Sequence, residues 1–205
     1  MHRWMVPVAA GILIWLVIVA QPGSAKVVGA VYGLVCVGLY TISAAAHLRI
    51  WDPKRLHLLF QFDHSMIMIF IAGSTAPMAY AIGGGTGWLL FGGMVVGTGL
   101  GLIAIWLPFH PPRGFMNTLF FIVGWWPILF TLPLRRGLGG GGLVILLAGG
   151  AVFTLGALIV GFQRPNPNPN VFGYHEIWHI FVIVGNLVHL TLVYLILTGH
   201  APIAL

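Results

Sequence analysis

The sequence predicts an all-α integral membrane protein: a seven-transmembrane-helix bundle in a single domain over residues 1–205, N-terminus cytoplasmic and C-terminus outside. Three observations predict it. Of the 205 residues, 59% are hydrophobic and only 6% are charged, against about 25% charged in a soluble domain. A water-facing shell cannot be assembled from that composition. The apolar residues also gather into seven runs, each near the roughly 20 residues that cross a bilayer. Finally, the basic residues stand singly or in pairs between the runs, the pattern of membrane topology rather than of a clustered nucleic-acid face. No nucleic-acid partner is expected, despite a formal net charge of +6.

The runs are 4–20, 27–48, 57–80, 87–107, 115–133, 142–162 and 174–198, joined by QPGSAK, RIWDPKR, AIGGGT, PFHPPRG, PLRRGLGGGG and QRPNPNPNVFG. The first follows a short basic start and resembles a secretory signal, with small residues at Gly23-Ser24-Ala25. Its apolar core is long for a signal and contains Pro7 and Gly11, so it is read as a retained helix. Gly29 and Gly33 in the second run, and Gly93, Gly97 and Gly101 in the fourth, repeat at four-residue spacing, letting backbones approach closely within lipid. Trp4, Trp51, Trp88 and Trp106 fall near run ends, as interfacial anchors do. The Pro-Asn alternation at 165–170 reads as a stiff extended linker. Cys36 is the single cysteine, so no intrachain disulfide forms.

Orientation comes from counting Lys and Arg in alternate connectors. One side holds Arg3, Arg49, Lys54, Arg55, Arg113 and Arg164; the other holds Lys26, Arg135 and Arg136. The positive-inside bias puts the N-terminus in the cytoplasm.

Ionisable residues within apolar runs are costly and each asks for a reason. They are His47, Asp63, His64, His175, Glu176, His179 and His189. The second run ends on the side where the third and seventh begin, whichever side is cytoplasmic. His47, Asp63, His175 and His179 can therefore share one slab of the bilayer. His175 and His179 are four apart, on one helix face and one turn displaced. That is the geometry by which two imidazoles hold one ion. His47 supplies a third nitrogen, and three nitrogens with one open position is the pattern of catalytic zinc. Asp63 is placed to orient a water and take its proton. Ser43, one turn from His47, supports the site. His64 points about 100° away from Asp63 and reads as a hydrogen-bonding or interfacial group. His189 is about 15 Å farther along the helix than His179, too far to join. His2, His57, His110 and His200 lie in termini or connectors and carry no signal.

The run His175-Glu176-Ile177-Trp178-His179 also spells H-E-x-x-H, the zinc-protease motif with Glu as general base. No further protease motif accompanies it. Glu176 reads instead as a ligand-bonding group or a cap of the helix start, where negative charge is favoured.

Ser43 with His47, then Phe62-Asp63-His64-Ser65 leading to Ile71-Ala72-Gly73-Ser74-Thr75-Ala76-Pro77, then Gly173-Tyr174-His175-Glu176 with His179, resemble the hemolysin III proteins of the PAQR (adiponectin and progestin receptor) superfamily. The likeness spans nearly the whole chain. It implies seven membrane helices with a cytoplasmic N-terminus, and a Zn²⁺ near the inner face. By that similarity His47, His175 and His179 are the metal ligands, Asp63 holds the water, and Ser43 stands beside the site. The wider superfamily resembles lipid amidases of the ceramidase type, while hemolysin III members are linked to red-cell lysis and membrane-lipid homeostasis. Two positions depart from the family. Only Met1-His2-Arg3-Trp4 precedes the first run, where a basic His-containing stretch is usual, and Ala46 precedes His47, where an aromatic is common.

Two functions follow as expectations. The first is a zinc-dependent hydrolase of a lipid amide or ester, with a membrane lipid as substrate, in a bacterial inner membrane. The second is a non-enzymatic effector, whether pore former, lipid sensor or receptor-like regulator, with structural zinc. A wide pore needs polar lining along its length, and the outer halves of the runs offer little. The sequence is silent on oligomeric state.

Overall fold

The computed structural model describes residues 2–47, 50–108, 114–168 and 171–203. Arg49, His110, Arg113 and the end of the Pro-Asn run lie outside the described residues. The described chain is helical, with no strand among the described residues. The helices are α1 (His2–Val19), α2 (Ser24–His47), α3 (Pro53–Ile82), α4 (Gly84–Trp106), α5 (Phe115–Trp125), α6 (Thr131–Phe162) and α7 (Tyr174–Leu197), with a 3-10 turn, Trp126–Phe130, joining α5 to α6. Six helical stretches are long and apolar enough to cross a membrane: α1, α2, α3, α4, the run Phe115–Phe162, and α7.

The run Phe115–Phe162 does not continue in one direction. Gly139 has φ 76° and ψ 175°, a conformation open only to glycine. Trp125 Nε1 donates to Thr154 Oγ1 at 3.0 Å, although a straight helix would hold these residues about 44 Å apart. The chain doubles back at the glycine. The backbone groups freed at the bend find partners in the C-terminal segment: Ile203 N–H donates to Leu138 C=O at 2.7 Å, and Gly141 N–H to Ile203 C=O at 3.0 Å. Buried backbone groups without such partners would each cost several kcal/mol in lipid, roughly.

Several boundaries differ from the sequence expectation, and two of them show why. Arg135 and Arg136 were read as connector, yet they sit on exposed helix before the Gly139 break. The bend needs glycine more than it needs charge. The third helix begins at Pro53 rather than 57, because Asp52 caps it: the carboxylate accepts from Arg55 N–H at 3.1 Å, and Pro53 fills the first-turn position that needs no N–H donor. The side chain of Arg55 returns to Asp52 at 3.2 Å on the exposed surface.

The packing is that of a membrane bundle. Large apolar side chains such as Trp4, Ile18, Leu89, Val96 and Leu129 face outward, where lipid solvates them. Helices meet through small residues: a Cβ on Gly33 would strike Leu13 at 2.7 Å, and one on Gly93 would strike the Trp126 ring at 2.5 Å. Between α2 and α7 lies a buried polar cluster. Asn186 Oδ1 accepts from Tyr32 Oη–H at 2.6 Å, and Asn186 Nδ2 donates to Tyr40 Oη at 2.9 Å. Tyr32 and Tyr40 are wholly buried. This cluster ties α7 to α2 two turns from the histidines at their ends.

Candidate metal centre

One end of the bundle gathers the beginning of α1, the end of α2, the beginning of α7 and the second and third turns of α3. His47 closes α2. His175 and His179 occupy the first two turns of α7, one above the other on the face toward α2. That helix start is fixed by Glu176, whose carboxylate accepts from the Gly173 N–H at 2.8 Å. Glu176 is thus a cap, as the charge of a helix N-terminus favours.

His47, His175 and His179 each bring one ring nitrogen into a group whose members all lie within 4.8 Å of one another. His47 Nε2 and His175 Nε2 are 3.4 Å apart. Two nitrogens at the zinc–nitrogen bond length around a tetrahedral ion stand about 3.4 Å from each other. The pair therefore already has the spacing of coligands, and the third nitrogen lies within 4.8 Å of both. The burial is graded: His179 is buried, His175 intermediate, His47 exposed. A centre built so has a closed floor and an open outer side. Three imidazoles without a thiolate form a donor set suited to zinc and other first-row divalent ions.

Ser43, one turn from His47, is buried and lies beside Asp63. Both line a cavity of about 270 Å³ that also contacts His175 and His179. The cavity runs from this polar end down between α3, α5, α6 and α7 as far as His189, a span of about 21 Å along α7. Past the histidines its walls are mainly apolar, with Phe70, Phe120, Phe153 and Leu146 among them and a few polar groups such as Thr75 and Thr154.

The structure brings His47, His175 and His179 together, with Ser43 and Asp63 on the cavity beside them, and it corrects one reading. His2 was dismissed as terminal, yet it is buried inside the centre. Its Nε2 lies 3.0 Å from His179 Nδ1 and its Nδ1 lies 2.8 Å from Ser43 Oγ. Helix α1 begins beside the ends of α2 and α7, so a residue near the chain start sits in the same slab as the ligands. Its position at the head of an apolar run, on the side shared by His47 and His175, was the available signal. His64 behaves as expected, its Nδ1 within 2.7 Å of the Phe60 carbonyl on its own helix. Among the described residues His189 makes one hydrogen bond, Nε2 to the Leu146 carbonyl at 3.3 Å, and its ring meets Phe153 edge-on. Asn186, Tyr32 and Tyr40 were missed as well: neutral polar residues in apolar runs are common, and only their shared helix faces mark them.

Comparison with known proteins shows the family. The family model described as "Haemolysin-III related" matches residues 1–190. The chain is 33% identical over 181 residues to "Hemolysin-3" of Bacillus cereus, covering 85% of this chain and 78% of that protein. It is 29% identical over 159 residues to a "Hemolysin-3 homolog" of Bacillus subtilis (strain 168), covering 76% of this chain and 70% of the other. An integral membrane bundle with a three-histidine cluster, matched over nearly its whole length, thus belongs to the haemolysin-III related family of the PAQR superfamily.

Proposed function

We propose that this protein is a zinc-dependent hydrolase of a lipid amide or ester, ceramidase-like in its chemistry, acting in membrane-lipid homeostasis from the bacterial inner membrane. One observation carries the reading: three imidazole nitrogens lie within 4.8 Å of one another, and two of their residues, His175 and His179, line a long, mainly apolar cavity together with Asp63 and Ser43. His47, His175 and His179 hold the ion. Zinc, when bound there, supplies Lewis acidity and lowers the pKa of a water to about 7. Asp63 takes the proton at its carboxylate, and Ser43 fixes that carboxylate from α2. The apolar walls receive an acyl chain and keep bulk water from the reacting end. Entry is sideways from lipid beside α5, whose one buried residue is Val123.

The same reading has seven crossings in one membrane domain, with the N-terminus and the metal centre on the cytoplasmic side. Support comes from parity. The end of α2 and the beginning of α7 lie at one end of the bundle, with His47 and His175 in contact. An even number of crossings must separate them, so the doubled run Phe115–Phe162 counts as two. The buried place of His2 supports α1 as a retained helix. The apolar walls of the cavity weigh against the pore-forming alternative.

The test is fatty-acid release by purified protein from labelled ceramides and lipid esters, comparing wild type with His47→Ala and Asp63→Asn. Release that falls to background in both variants is expected. Equal release from all three, or none from wild type on any lipid amide or ester, rejects the hydrolase.

A further inference from the structure

We infer that His2 is a positioning residue of the metal centre, holding His179 by its Nδ1 and linking that ligand to Ser43. The inference rests on the metal reading above. A neutral histidine that ligates through Nε2 carries its proton on Nδ1. In His179 that proton faces His2 Nε2 at 3.0 Å. His2 must then be bare at Nε2 and protonated at Nδ1, which donates to Ser43 Oγ at 2.8 Å. Ser43, whose oxygen accepts from His2, lines the same cavity as Asp63.

Donation thus runs one way: His179 to His2, and His2 to Ser43. A cation on His179 Nε2 polarises the first N–H, and the following bond strengthens in turn. Ligating histidines are commonly oriented by a carboxylate or carbonyl on the second nitrogen. Here a buried imidazole takes that place. Its position is held by the Tyr40 ring, edge-on at 5.1 Å between centroids. The arrangement makes α1 part of the centre rather than a membrane anchor alone.

The experiment measures zinc affinity of the purified protein in detergent by competition with a chelating dye. Wild type is compared with His2→Leu, His2→Gln and Ser43→Ala, and thermal unfolding of each is recorded in excess chelator. His2→Leu keeps the bulk and loses both bonds, and is expected to bind zinc about 10- to 100-fold more weakly. Gln carries an acceptor and a donor at similar reach, so His2→Gln is expected to recover most of that loss. Ser43→Ala is expected to weaken binding less than His2→Leu does, and it reports on the chain even where the leucine variant does not fold. Unchanged affinity in His2→Leu and Ser43→Ala, or an equal loss in the leucine and glutamine variants, overturns the inference while leaving the metal reading intact. Wild type that binds no zinc overturns both.

Discussion

Asn186→Leu tests whether the buried amide between α2 and α7 is a structural tie. The substitution keeps the branched shape, adds some bulk in its two methyl groups, and removes the amide's hydrogen bonds at 2.6 Å to Tyr32 and 2.9 Å to Tyr40. Two fully buried hydroxyls are then left without their amide partner. In water-soluble proteins each orphaned group costs about 1–3 kcal/mol; interhelical bonds measured in membranes average nearer 0.6 kcal/mol, with a maximum of about 1.7. The expected loss is therefore about 1–3 kcal/mol for the pair. In a Tyr32→Phe/Tyr40→Phe background the same change leaves only the weakly bonding Cys36 thiol without its amide partner, and the leucine should cost much less. The coupling between the two backgrounds should be about 1–2 kcal/mol, read from unfolding in mixed detergent micelles with chelator present. Asn186 lies two turns below His179 on nearly the same face of α7, so zinc affinity should fall with stability in the single variant and recover in the triple. An equal cost of Asn186→Leu in both backgrounds would refute the tie and leave the approach of α2 to α7 to packing alone.

Other outcomes follow from single positions. Gly139→Ala should lower stability by about 1–3 kcal/mol, because its φ of 76° is foreign to alanine and the Ile203 carbonyl occupies the Cβ position; unchanged unfolding in detergent would remove the bend from the account. Glu176→Gln should weaken the α7 cap by about 1 kcal/mol and leave lipid hydrolysis within a few-fold of wild type. Loss of hydrolysis with zinc still bound would revive Glu176 as a general base of the H-E-x-x-H kind.

Much of this arrangement was legible in the residues. The apolar runs had to be helices, since lipid offers backbone groups no other partner. The four-residue spacing of His175 and His179 set their common face, and the parity of crossings put His47 and Asp63 at the same depth. Other features needed the folded chain. The Asp52-Pro53 start signal was present but lay among charges that read as connector. The bend at Gly139 depends on which of four successive glycines meets the returning C-terminal segment. His2 depends on how α1 leans against α2, set by a contact such as Gly33 with Leu13, which periodicity does not encode. Asn186 carries no charge, and its role exists only because Tyr32 and Tyr40 face it from another helix.

The most direct measurement is elemental analysis of zinc in the purified protein, made for wild type, His179→Ala and His189→Ala. His189 lines the same cavity but lies about 15 Å from His179 along α7. The account predicts about one zinc ion per chain in wild type, the same in His189→Ala, and background in His179→Ala. Zinc absent from wild type, or retained in full by His179→Ala, contradicts it.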